Sequence, residues 1–128
     1  MAAGDVKILV EKSGPEFEES TLDAERGRIA GFNAQTGTNY TLALSDLGKI
    51  VTLSNSSAVE VTIPPDSSVA FDDKSVVVVQ RIGEGTVEIK AGSGVTLNGK
   101  YYIATQWNVI VCVKTDEDEW TLIGGVDP

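Results

Sequence analysis

Histidine is absent from this chain, cysteine and methionine each occur once, and aromatic residues make up 6% of it. Without histidine, the commonest general base, the commonest metal ligand and the usual switch near neutral pH are all missing. A single cysteine can neither close an intramolecular disulfide nor build a thiolate metal site within one chain. Cys112 lies in Val109-Ile110-Val111-Cys112-Val113 and reads as a small buried hydrophobe. Basic residues are few and scattered: ten Lys and Arg face nineteen Asp and Glu, for a net charge of −9. Nucleic-acid binding draws on Lys and Arg releasing phosphate counterions, so it is not expected here. No run approaches the roughly 18 apolar residues of a membrane span. The opening Met1-Ala2-Ala3-Gly4-Asp5 lacks the basic and apolar regions of an export signal. Synthesis in the cytoplasm without membrane association is therefore expected.

What is present is a train of short β-branched runs separated by glycine. Val76-Val77-Val78-Val79-Gln80-Arg81-Ile82, Thr86-Val87-Glu88-Ile89-Lys90-Ala91 and Val95-Thr96-Leu97 are punctuated by Gly83-Glu84-Gly85 and Gly92-Ser93-Gly94. β-branched residues favour an extended backbone, and glycines permit tight reversals. Strands are predicted over 39–42, 49–53, 59–63, 75–82, 86–91, 95–97, 101–104, 108–114 and 120–124. In Val59-Glu60-Val61-Thr62-Ile63 the apolar residues alternate, which places Val59, Val61 and Ile63 on one face. Asn98-Gly99 carries the signature of a two-residue hairpin turn. The fold expected is all-β: an antiparallel sandwich or barrel-like domain over residues 35–128, preceded by an arm over 1–34.

The arm holds one alternating run, Val6-Lys7-Ile8-Leu9-Val10, then a Gly14-Pro15 break and an acidic stretch around Phe17. Its Thr21 and Gly27 fit the ends of one helical turn. Val6, Ile8, Val10 and Phe17, with Val77 and Val79 of the four-valine run, are the candidate contact residues. That run is apolar on both faces, which suits either a covered central strand or a subunit contact.

No catalytic, metal or cofactor site is expected. The tip Asp116-Glu117-Asp118-Glu119 lacks the spacing of a calcium loop and reads as a solvated turn. The glycine pairs are followed by no Walker lysine and open no helix, so they are turns rather than phosphate cradles. Glu60 and Glu88 fall on exposed strand faces with no insertion to build a cleft between them. Trp107, Tyr101 and Tyr102 are the candidate platforms for stacking on sugar rings, and Trp120 reads as a core residue.

The series from Thr36-Gly37-Thr38-Asn39-Tyr40-Thr41-Leu42 through Val61-Thr62-Ile63-Pro64-Pro65, Ala91-Gly92-Ser93-Gly94-Val95-Thr96-Leu97-Asn98-Gly99 and Trp120-Thr121-Leu122-Ile123-Gly124-Gly125 resembles a β-domain of tailed-bacteriophage structural proteins. That family includes head-decoration, head-fibre and tail-fibre segments. The resemblance implies a virion role without catalysis and leaves open which virion part carries the domain; a capsid decoration or cement protein on the head surface is the first reading. It also implies a homotrimer bound to a major capsid protein or another virion protein. The alternative it implies is a tail- or head-fibre module that attaches to cell-surface carbohydrate. The length of 128 residues, without shaft repeats or heptads, suits decoration better than a whole fibre.

Overall fold

The computed structural model describes residues 27–128. Ten strands run β1 (Gly31–Gln35), β2 (Asn39–Thr41), β3 (Lys49–Leu53), β4 (Val59–Ile63), β5 (Val76–Arg81), β6 (Val87–Ala91), β7 (Thr96–Asn98), β8 (Tyr102–Ile103), β9 (Val109–Asp116) and β10 (Glu119–Ile123). A single 3₁₀ turn, Leu44–Asp46, sits between β2 and β3. The chain is all-β. Its strands form a six-stranded sheet in the order β1-β3-β5-β9-β10-β7 and a four-stranded sheet in the order β2-β4-β6-β8.

The expectation of antiparallel pairing is corrected. Successive strands from β1 to β6 alternate between the two sheets, so each strand lies parallel to the strand two places on, as β1 to β3, β3 to β5, β2 to β4 and β4 to β6. Antiparallel pairing enters only with β9, which lies between β5 and β10, and with β8 beside β6. The physical reason lies in the glycine clusters. They do not fold a strand back on its neighbour; they turn corners that carry the chain from one sheet to the other.

The corners stack as the strands do. Ser54 N–H donates to Gln35 O at 3.0 Å, and Gly83 N–H donates to Leu53 O at 3.1 Å. Gly85 N–H reaches Asn55 O at 2.7 Å, while the Asn55 side chain donates to Thr36 O at 2.7 Å on the opposite side. The ladder therefore continues around the bend. Close approach explains the glycine at 85, where a Cβ would stand 1.8 Å from the Ser57 carbonyl oxygen.

The hairpin expected at Asn98-Gly99 is also corrected. β7 pairs in parallel with β10 of the six-stranded sheet, while β8 belongs to the other sheet. Gly99, at φ 117°, crosses between them and presses against the Leu122 carbonyl oxygen. The true hairpin joins β9 to β10 through the acidic tip, where Asp118 takes the left-handed φ of 53° and a bulge follows between Glu119 and Trp120.

Inward residues of both sheets share one core: Val51, Leu53, Val77, Val79, Ile110, Cys112, Trp120 and Leu122 from the larger sheet, and Val59, Val61, Ile63, Val87, Ile89 and Ile103 from the smaller. Each such side chain contributes about 1.5–3 kcal/mol on burial. Phe71 closes the core edge-on against Trp120, with ring centroids 5.3 Å apart.

Two buried polar networks border this interior. At the β1–β2 end, Asp46 is fully buried and accepts from Tyr40 O–H at 2.7 Å, Asn33 Nδ2 at 2.8 Å and Ala43 N–H at 2.9 Å. Burial, followed by the adjacent Asp46, pushes the Tyr40 hydroxyl up to about 12. Farther along, Lys114 is 2% exposed and donates to both carboxylate oxygens of Asp66, at 2.7 and 2.8 Å, and to the Phe71 carbonyl. That ion pair ties β9 to the 64–75 loop.

The boundary expected at residue 34 cuts through β1, since 31–34 belong to the sheet. Val6, Ile8, Val10, Phe17 and the helical turn beginning at Thr21 lie outside the described residues.

Candidate functional site at the outer sheet faces

Pairing registers determine which outward side chains meet. Across the six-stranded sheet, Phe32 pairs with Ile50, Ile50 with Val78, Val78 with Val111, and Val111 with Ile123. These five apolar residues form one row across β1, β3, β5, β9 and β10. With neighbouring strands about 4.8 Å apart, the row is about 19 Å long. Its ends are the most open, with Phe32 66% and Ile123 55% exposed.

The flanking rows are also free of charge. One runs Val76, Val113, Thr121 and Asn98; the other runs Ala34, Thr52, Gln80 and Val109. A face with no ionised group across these rows stands out in a chain with 29 charged residues by sequence, nineteen acidic and ten basic.

Val77 and Val79, expected as contact residues, are corrected by the same register. Both are 0% exposed and point into the core, and the outward valines of β5 are Val76 and Val78. A run of four valines does not state its own phase. The phase comes from Arg81, two places on from Val79, which turns inward to cap the corner by donating to the carbonyls of Gly83, Glu84 and Ala104.

The outer face of the four-stranded sheet has the opposite character. Asn39, Glu60, Glu88 and Tyr102 form one row, and Thr41, Thr62 and Lys90 the next. Glu60 and Glu88 are side by side on this open face, and Lys90 Nζ lies 3.8 Å from Glu88.

The three aromatic candidates are not gathered into one site. Tyr102 belongs to the outer face of the small sheet, and Tyr101 is 36% exposed just ahead of it. Trp107 is 64% exposed in the 104–108 turn, tied by its N–H to the Arg81 carbonyl at the end of β5 in the large sheet. Among the described residues, no three carboxylate or thiol groups stand close enough to share a metal ion. At the acidic tip, Asp118 instead accepts from Asp66 N–H at 2.7 Å, and Glu119 accepts from Asn98 at 2.8 Å. Cys112 is sealed in the core, and burial pushes its thiol up to about 12.

Sequence reasoning missed β1 and the apolar row that begins on it. The inward residues of β1 are Asn33 and Gln35, so no apolar alternation marks the strand. The signal that could have revealed the parallel stacking is a faint repeat: Val59-Glu60-Val61 recurs 28 residues on as Val87-Glu88-Ile89, and these two segments are neighbours in the small sheet. No family model, curated protein or solved structure matches the chain.

Proposed function

We propose that this protein is a structural subunit of a bacteriophage virion, a capsid decoration protein that works by covering apolar surface between copies of itself and the shell. One observation carries the reading: the outer face of the six-stranded sheet has three adjacent rows without a charged residue, the central one formed by Phe32, Ile50, Val78, Val111 and Ile123. Copies of a chain at −9 repel one another over most of their surface. They can approach where charge is missing, and this face is such a place.

β-branched side chains standing on a pleated face form ridges that another such face can fill, and closing several copies about an axis covers all of them equally. Each 100 Å² of apolar surface removed from water contributes about 2.5 kcal/mol before the costs of association. Assembly about a symmetry axis leaves the polar face of the small sheet turned to solvent, as a decorated outer surface requires. The resemblance of 36–124 to phage structural domains supports the virion setting.

Light scattering on the purified full chain tests the self-association. A mass of three chains is expected, and Val78→Lys reduces it to one. Immunogold labelling of particles from the phage that encodes the chain tests the location. Gold on heads supports decoration, gold confined to tails moves the protein to a fibre, and a monomer that labels neither ends the proposal.

A further inference from the structure

Trp107 combines three features that the packing of the fold does not call for. It is 64% exposed, so its indole adds little to the core. Its backbone sits at φ 77°, a left-handed conformation that a bulky side chain adopts only under compulsion. It is also held there from both sides, since its N–H donates to the Arg81 carbonyl at 2.6 Å and its own carbonyl accepts from Gln80 Nε2 at 3.0 Å.

Two further hydrogen bonds close the turn around it. Gln106 Nε2 donates to the Ile82 carbonyl at 2.8 Å, and Asn108 N–H closes the turn on Thr105 O at 3.2 Å. Gln80 and Gln106 each spend an N–H on a backbone carbonyl, and among the described residues neither side-chain oxygen accepts a hydrogen bond in return. Trp107 thus presents a solvent-exposed indole in a turn whose other side chains, Thr105, Gln106 and Asn108, are polar and exposed. We propose that Trp107, framed by Gln80, Gln106 and Asn108, is a stacking platform for a neutral sugar ring.

The chemistry of each part fits that ligand. A pyranose presents a face of C–H groups to an aromatic ring and a rim of hydroxyls that donate to amide oxygens and accept from amide N–H groups. A protein hot spot would instead surround its aromatic anchor with an apolar collar, whereas Thr105, Gln106 and Asn108 are exposed polar neighbours. Acidic sugars are disfavoured. Arg81 is 8% exposed with its N–H groups turned onto carbonyls, so it offers an acid no free guanidinium, and the chain as a whole carries −9. A single stacked ring binds weakly, and repetition of the platform in an assembled particle raises the avidity without any new contact.

Fluorescence tests the proposal directly, because the other tryptophan, Trp120, is 1% exposed and serves as an internal reference. The full-length protein is screened on an array of neutral glycans, then titrated to about 10 mM with gluco-, galacto- and N-acetylglucosamine oligosaccharides, a range that reaches millimolar affinity. The expected result is a saturable change in the exposed, red-shifted emission with at least one of these sugars. Trp107→Ala abolishes that response and weakens array binding by about tenfold or more, Gln106→Ala weakens it by less, and Trp107→Phe keeps part of it. Unaltered array binding by Trp107→Ala overturns the proposal, and so does a wild-type protein that answers none of the sugars, whatever the variants do. A Trp107→Ala protein that loses oligomer mass while the wild type ignores every sugar identifies the residue as a protein contact. The assembly reading has its own readout, since Val78→Lys changes mass and leaves the sugar response of Trp107 in place.

Discussion

The two sheets of this protein obey the same inward rule and opposite outward ones. Inside, both offer branched aliphatic side chains to one core. Outside, the small sheet presents Asn39, Glu60, Glu88, Thr62 and Lys90, while the large sheet presents Phe32, Ile50, Val78, Val111 and Ile123. Core formation cannot account for the second set, because those side chains point away from the core. The contrast teaches that inward alternation reports the fold, whereas the residues left over on the outward face report what the fold is for.

The sharpest way to break both faces together is to unstack the corners. Gly85→Ala places a Cβ 1.8 Å from a backbone oxygen of the coil beneath, and a loss of more than about 4 kcal/mol is expected in urea unfolding. Next comes Lys114→Ala, which strands Asp66 beside a cavity and costs about 3–5 kcal/mol by the same measurement. Replacing the pair together, as Lys114→Met with Asp66→Leu, returns most of that loss, because no unpaired charge remains.

A smaller effect is expected at the edge coil that starts both sheets. Tyr40→Phe removes a donor from buried Asp46 and costs about 1.5–3 kcal/mol near neutral pH. It also alters the alkaline limb. The Tyr40 hydroxyl titrates higher in the folded chain than in the unfolded one, so its contribution is complete below pH 10 and is lost as pH climbs toward about 12. Denaturation curves across that window should fall more steeply for the wild type than for the variant.

Smallest for folding, and most direct for the contrast itself, are matched charges on the two outer faces. Val78→Lys and Thr62→Lys should each change the stability of the dilute single chain by less than about 0.5 kcal/mol. Only Val78→Lys should lower the mass seen by light scattering. Equal effects from the two substitutions would erase the distinction between the faces.

Strand positions were largely legible. Lys49–Leu53 and Val59–Ile63 occur at the expected bounds, and the strands from β5 to β10 differ from expectation only at their ends. β1 was not legible, because inward-facing Asn33 meets Tyr40 and Asp46, and Gln35 meets Asn33, where a hydrophobic layer would otherwise be. Pairing direction was not legible either, since a glycine corner and a glycine hairpin look alike until the next strand is placed. Of the contact residues expected, Val77 and Val79 belong to the core, one step out of phase with Val76 and Val78. Of the aromatics expected, Trp107 stands apart from Tyr101 and Tyr102 for a reason that no local pattern contains: hydrogen bonds from β5 hold it in a left-handed backbone.

Local composition by itself determined that this polypeptide would be built of short extended segments, because β-branched residues and glycines impose their backbone preferences within a few positions. It also settled that histidine chemistry and disulfide bonding within the chain are closed to it. Tertiary structure alone decided that the segments stack in parallel across two sheets, that five apolar side chains align in one outward row, and that one indole is held out toward water. Each of those depends on contacts between residues tens of positions apart, which no short window of sequence can hold.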